Sequence, residues 1–384
     1  MRRLLLLVSA IMLVDTTFFT ALTPLLPHYA DTLGLSKLGA GVLTASFGAG
    51  TLLGAIPAGV LAARLGPKPV VLLGLGLLAA TSLVFGFGAS ISILDGARFL
   101  QGAGGACTWT GSLAWLAAAA PSERRGEVIG TALGAGIGGA LLGPAVGAAA
   151  ASLGTRPVFG GVAVVGGAIA AAVVAFPAPR PSVPQRLSAL RGRIGDAELL
   201  GGMWLVALAA MLFGSVSVLA PLRLDRLGFG AAAIGGAFLL SAALEATASP
   251  VLGRISDRRG TLPLTRVALA AATVVSLALP WPGNAWLLGA LVVACGLAYG
   301  GFWVPGMAML SFGAERTGLD QSFAFALMNL AWATGESAGS FAGGALGQHL
   351  GDVVPYWGGA ALCLVTLAAA GLTRGRSPAY SEAR

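Results

Sequence analysis

GVLAARLG, residues 59–66, returns as GRISDRRG at residues 253–260. Both copies read Gly, any, Leu or Ile, any, any, Arg, any, Gly, and they lie 194 residues apart in a chain of 384. Each copy falls between two long apolar runs. A basic turn repeated at half the chain length points to two equivalent halves.

The residues on either side of these turns set the class of protein. Hydrophobic residues make up 56% of the chain and charged residues only 10%, far from the roughly 25% charged of a soluble domain. A helical membrane span needs about 20 mostly apolar residues. Cutting the chain at charges, prolines and glycines gives twelve spans: 4–26, 38–61, 69–90, 93–119, 127–152 and 157–176, then 199–221, 229–251, 262–281, 286–311, 321–347 and 354–373. The expectation is an all-α integral membrane protein built as two six-helix pseudo-repeats. Residues 1–177 form the first half and 199–384 the second. The proline-rich, basic stretch at 178–198 reads as a cytoplasmic linker. Arg2 and Arg3 before a leucine run resemble a secretory leader, but the apolar run continues through Leu25 and Leu26 and reads as a span.

The net charge of +8 has a topological origin. With both termini cytoplasmic, eighteen of the 23 Lys and Arg residues fall on the inner side, as the positive-inside rule requires. Nucleic acid is therefore not an expected partner; the bilayer is. Cys107, Cys295 and Cys363 all lie inside spans, and neither they nor His28 and His349 have metal-site spacing.

The fifth span carries glycines four apart at Gly139, Gly143 and Gly147, and the eleventh repeats the pattern at Gly335, Gly339, Gly343 and Gly347. Residues four apart share a helix face, and a glycine face lets another helix backbone come close. Static packing is one reading; the paired placement in equivalent spans favours a mobile interface between halves.

Gly59, Arg64, Gly66 and the following Lys68 resemble the cytoplasmic loop signature of the major facilitator superfamily. LDGARFLQGAG at residues 94–104 looks like that family's fourth-helix motif, and GALLGPAVG at residues 139–147 like its fifth-helix antiporter motif. The resemblance covers essentially the whole chain and is nearest the drug:proton antiporter branch. It implies alternating access between two rocking halves, and the fifth-helix motif implies export. Pro144 interrupts the helical hydrogen-bond ladder there and makes a bend or pliant point. Where the family pattern has an acid that latches the halves on the cytoplasmic side, this chain has Ala63. The second copy keeps the acid as Asp257, beside Arg258.

Ionisable residues inside spans are costly, about 2.5–3.5 kcal/mol each at a helix centre, and are functional candidates by default. Asp15 and Glu336 place one acid in each half at comparable depth, suited to taking up and releasing a proton, or to a hydrogen bond between helices. Arg98 matches the arginine of the fourth-helix motif, implicated by the resemblance in proton transfer, with Gln101 one turn further in; pairing with Asp95 or snorkelling is the structural alternative. Glu245, placed near the cytoplasmic end of the eighth span, reads as a partner for a neighbouring helix. Trp109, Trp115, Tyr299, Phe302, Trp303, Phe325 and Trp332 are candidate cavity aromatics, and aromatic faces beside acids would suit lipophilic cations.

The expected function is proton-coupled export of a small apolar or amphipathic molecule, with the proton gradient as energy source, no cofactor or metal, and a monomer in the cell (plasma or inner) membrane. Proton-coupled uptake or facilitated transport of a metabolite is the alternative on the same fold. A membrane enzyme is the remote alternative: the chain has no Walker-type phosphate loop and no His-Glu-x-x-His.

Overall fold

The computed structural model describes residues 1–120, 125–177, 195–319 and 321–372, apart from the side chains of residues 125–127, 257, 259, 321–323 and 371–372. Most of the expected linker and the side chain of Asp257 lie outside the described residues. Within them every regular element is helical. In the first half these are α1 (Arg2–Thr20), a 3-10 turn (Thr23–Leu25), α2 (Leu26–Leu33), α3 (Lys37–Leu65), α4 (Pro67–Phe87), α5 (Ile91–Ala119), α6 (Arg125–Leu153) and α7 (Thr155–Ala175). The second half has α8 (Ala197–Arg226), α9 (Ala231–Arg259), α10 (Thr261–Ala278), α11 (Ala285–Thr317), α12 (Gln321–His349) and α13 (Val353–Leu372). Pro24 and Pro27 break the first span into α1, the 3-10 turn and α2, so six spans stand in each half.

Several helices outrun their apolar windows. α3 and α9 are each 29 residues long, about 43 Å at 1.5 Å per residue against a hydrocarbon thickness of about 30 Å. Apolarity ends where water begins, but the backbone keeps its internal hydrogen bonds beyond that point. This corrects the reading of GVLAARLG as a turn. Gly59 and Arg64 lie inside α3, and the chain turns at one residue, Gly66, with φ of 88°. Pro67 then opens α4. Gly260 repeats the corner between α9 and α10 with φ of 83°. Such a left-handed corner favours glycine, and a proline just after it has the φ a first helical residue needs.

Basic groups also tie helix ends together. Lys68 donates to the carbonyls of Val174 and Phe176 at 2.7 Å each, closing the end of α7. Arg266 does the same for α13 through the carbonyl of Ala370, at 2.5 Å. Carbonyls in a last helical turn lack internal partners, and a cation there also meets the negative end of the helix dipole.

The glycine faces pack within each half, not between them. A Cβ at Gly139 would lie 2.2 Å from the Leu13 carbonyl oxygen, one at Gly143 1.8 Å from the Thr20 hydroxyl, and one at Gly147 2.0 Å from the Ala21 carbonyl oxygen. All three therefore press α6 onto the first span. Gly335 and Gly339 press α12 onto α8 in the same way, at the carbonyls of Ala207 and Met211. Contacts between the halves use other residues. α3 meets α12 through Gly41 and Gly344, and α6 meets α9 where the Pro144 carbonyl lies against Gly235.

Contacts between the halves run from one end of the bundle to its middle, where Phe19 and Phe47 meet Trp332. Lys37 pairs with Asp352 and donates to the Gly347 carbonyl at 3.3 Å, while the Leu38 N–H donates to Gln348 Oε1 at 2.9 Å. Toward the other end, which carries Arg64, Arg254, Arg258 and Arg316, Ile56 of α3 is 66% exposed. Gly59, Gly130 and Gly134 there face open space. The bundle is closed at the Lys37 end and open at the basic end.

Candidate functional site

The site forms where α1, α3 and α5 of the first half meet α12 of the second. Asp15 and Phe19 are four residues apart on α1, Trp332 and Glu336 four apart on α12, and Arg98, Gln101 and Gly105 follow one stripe of α5. Helical spacing turns each set to a single face. The signal was therefore present in sequence for Phe19, but aromatics in apolar helices give no contrast, and Phe19 and Phe47 escaped notice.

Arg98 is the centre of the site and is only 1% exposed. One terminal nitrogen, Nη1, donates to Gln101 Oε1 at 2.7 Å; the other, Nη2, donates to the Phe19 carbonyl at 2.8 Å. Its guanidinium lies 5.1 Å from the Phe19 ring centre and 4.8 Å from that of Phe47. Those two rings are 4.4 Å apart, and Trp332 stands edge-on to them at 5.3 and 6.1 Å. Asp95 does not pair with Arg98; one of its buried oxygens has no hydrogen bond. In place of that pairing, the planar fork of Arg98 lies against the stacked Phe19 and Phe47 rings.

Two acids flank this arginine. Asp15 is 3% exposed and accepts from Trp109 Nε1 at 3.1 Å. Glu336 is 5% exposed and accepts from the Ser340 hydroxyl at 3.4 Å. Both lie within electrostatic reach of Arg98 without a direct ion pair. The group therefore holds one fixed cation and two acids whose charge a proton can cancel. Two buried donors, Arg98 Nε and Gln101 Nε2, have no protein acceptor. A buried N–H without an acceptor costs about 1–3 kcal/mol, so these atoms favour a ligand or water that supplies one.

Other sequence candidates stand elsewhere. Tyr299 is fully buried inside the second half, its hydroxyl 2.9 Å from that of Ser276 and its ring against Phe213. Trp303 packs against one hydrophobic cluster that spans both halves and one in the second half, and Trp115 is buried in a cluster of the first. Phe302 is fully buried, and Phe325 packs against a hydrophobic cluster of the second half. Arg64 and Arg258 are exposed at the basic end. Glu245 is not near a helix end: α9 runs to Arg259, which puts it at the helix midpoint.

Polarity is concentrated in the helices that build the site. Among the described residues ten spans are long and apolar enough to cross a membrane by composition alone. The two that fall short are α5 and α12, which carry Arg98 and Glu336.

Residues 7–319 match the family model described as Major Facilitator Superfamily. A "Chloramphenicol resistance protein" of Streptomyces lividans is 31% identical over an alignment of 391 positions, covering 94% of this chain and 93% of the relative. "Quinolone resistance protein NorA" of Staphylococcus aureus (strain MRSA252) is 30% identical over 125 residues, covering 30% of this chain and 32% of the relative. Among solved structures, a bacterial homolog of the human lysosomal transporter Spinster, inward-facing and occupied, superposes with a TM-score of 0.79 at 16% identity, covering 98% of this chain and 99% of that one. The unoccupied form of that homolog gives 0.75 at 15% identity, covering 97% and 95%. With twelve helical spans in two repeated halves, the three sequence signatures and a family match over most of its length, the chain belongs to the Major Facilitator Superfamily of membrane transporters.

Proposed function

We propose that the protein exports small apolar or amphipathic molecules across the cell membrane in exchange for protons, by alternating access and as a monomer. The observation that carries this reading is the Asp15–Arg98–Glu336 group, which joins an acid from each half to one buried cation where the halves meet. Antiport requires proton and substrate to compete for a shared group. A proton on either acid leaves more of the Arg98 charge uncompensated, and a substrate acceptor placed on Arg98 Nε or Gln101 Nε2 competes for the same cation. Proton occupancy and substrate occupancy then change one charge balance.

Direction and orientation rest on other observations. The basic end is taken as cytoplasmic by the positive-inside rule, so the open side of the bundle receives substrate from within. Export agrees with the resistance named in the two relatives and with the motif around Pro144. Arg98 already lies against the Phe19 and Phe47 rings, which makes neutral compounds with hydrogen-bond acceptors, such as chloramphenicol, the favoured occupants of this central site.

Everted vesicles provide the test. With an acidified interior, adding chloramphenicol should release protons from wild-type vesicles, and Asp15→Asn should insert normally yet show no coupled release. Wild-type coupling in that variant would remove Asp15 from the mechanism; no response to a broad panel of lipophilic compounds would count against export.

A further inference from the structure

Glu245 is a third acid inside a span, outside the Asp15–Arg98–Glu336 group. It lies at the midpoint of α9, a helix that packs mainly on α11 and α6 and more lightly on α10. Its side chain fills a notch in α11: a Cβ on Gly300 would lie 2.6 Å from Glu245 Cγ and 2.8 Å from both Cδ and Oε1. One turn away Gly296 meets the Ser241 carbonyl oxygen at 2.1 Å by the same measure. α11 is thus thinned at two successive turns, and the second of these seats a carboxyl group.

This carboxyl lacks a counter-charge among the described residues. Along its helix the Ser249 hydroxyl donates to the Glu245 backbone carbonyl at 2.7 Å, and the Thr247 hydroxyl donates to the carbonyls of Ala243 and Leu244. α6 carries no ionisable residue from 128 to 153. On α10 the one charged residue, Arg266, is committed to the Ala370 carbonyl. On α11 the Tyr299 hydroxyl faces Ser276, Cys295 is buried, and Glu315 and Arg316 lie at the helix end. The ends of α8 hold its Glu198, Arg223, Asp225 and Arg226. No cation acts on Glu245 from any of these elements.

An ionised carboxylate inside a span without a partner is costly, and either a proton or an incoming cation removes that cost. The residue is only half-buried. The Phe19–Phe47 ring pair cannot serve this purpose, because Arg98 lies against both rings with a charge of its own. We propose that Glu245, seated in the Gly300 notch, is a separate binding site for the positive group of a monocationic amphiphile, which displaces a proton from the carboxyl as it binds. The exchange balances: the O–H bond breaks, the proton passes to water, and the carboxylate pairs with the incoming cation. The proposal rests on the transport reading for its purpose but not for its test.

Binding of tetraphenylphosphonium to purified, detergent-solubilised full-length protein decides it. Wild type should bind, with affinity that weakens on acidification as protons compete. Glu245→Gln, which preserves shape, should bind about tenfold or more weakly with the pH dependence gone. Gly300→Ala should also weaken binding, because the new methyl group displaces the carboxyl, and binding of neutral chloramphenicol should be unchanged in both variants. Equal affinity in wild type and Glu245→Gln, no wild-type binding, or wild-type affinity independent of pH would each overturn the site. Intact binding with no proton-driven export from vesicles would sink the exporter reading alone.

Discussion

At the scale of single residues, Arg98 couples the most groups. Its two terminal nitrogens reach Gln101 and the Phe19 carbonyl while its plane lies on two rings. A lysine keeps the charge but has neither a fork nor a flat face. Arg98→Lys should therefore reduce transport about tenfold or more while leaving expression and monodispersity intact, and vesicle efflux measured against quantified protein checks this. Arg98→Ala removes the cation between Asp15 and Glu336 and should destabilise the fold by about 3–5 kcal/mol. Part of this was readable in sequence: charges stand out in apolar helices, so Asp15, Arg98 and Glu336 were found. Phe47 was not, because its place beside Arg98 depends on how α3 packs against α5, which no spacing within α3 records.

At the scale of elements, the spans were legible and their partners were not. Glycines four apart show that a helix has a thin face, but the spacing does not name the neighbour that uses it. For α6 and α12 the neighbour is the first span or α8 of the same half. The corner at Gly66 was hidden for a related reason: a helix carried into the interface loses its apolar pattern before it loses its backbone hydrogen bonds. Caps are easier to assess. Asp196 accepts from the N–H groups of Glu198 and Leu199 at 3.0 and 3.2 Å and pairs with Arg316, joining the start of α8 to the end of α11. Desolvation pushes its carboxyl upward, but those N–H groups and the Arg316 guanidinium outweigh it and hold the carboxyl below its ordinary 3.8. A carboxyl lowered in the folded state stabilises above its ordinary range and loses that contribution as acid takes the pH below its folded value. Asp196→Ala should cost about 1 kcal/mol at pH 7, and the difference in melting temperature from wild type should shrink as the carboxyl is protonated below its lowered folded-state range, as thermal unfolding in detergent would show.

At the scale of the whole molecule, two halves closed at one end and open at the other form a balance that can be shifted from either side. The Lys37–Asp352 pair, with both side chains largely shielded, holds the closed end. Its loss in Lys37→Ala should favour opening there by about 1 kcal/mol, roughly fivefold in population. Ala63→Asp restores the acid of the first-half signature at the basic end and should push the same equilibrium the same way, by favouring closure of that end. Spectroscopic distances between labels on α3 and α12, one pair at each end, check both variants. An unchanged distribution in Ala63→Asp would strip the missing acid of mechanistic meaning.

The polarity of α5 and α12 also bears on how the protein is made. Synthesis delivers helices one at a time, and these two are less apolar along their length than the other ten spans. α5 enters with Arg98 while α12, which supplies Trp332 and Glu336 to the same site, is more than 200 residues from being synthesised. For most of translation that arginine must be sheltered by Phe19, Phe47 and Gln101 alone. The residues around Arg98 thus have an earlier task, keeping a half-built membrane protein from losing its fourth span before the eleventh arrives.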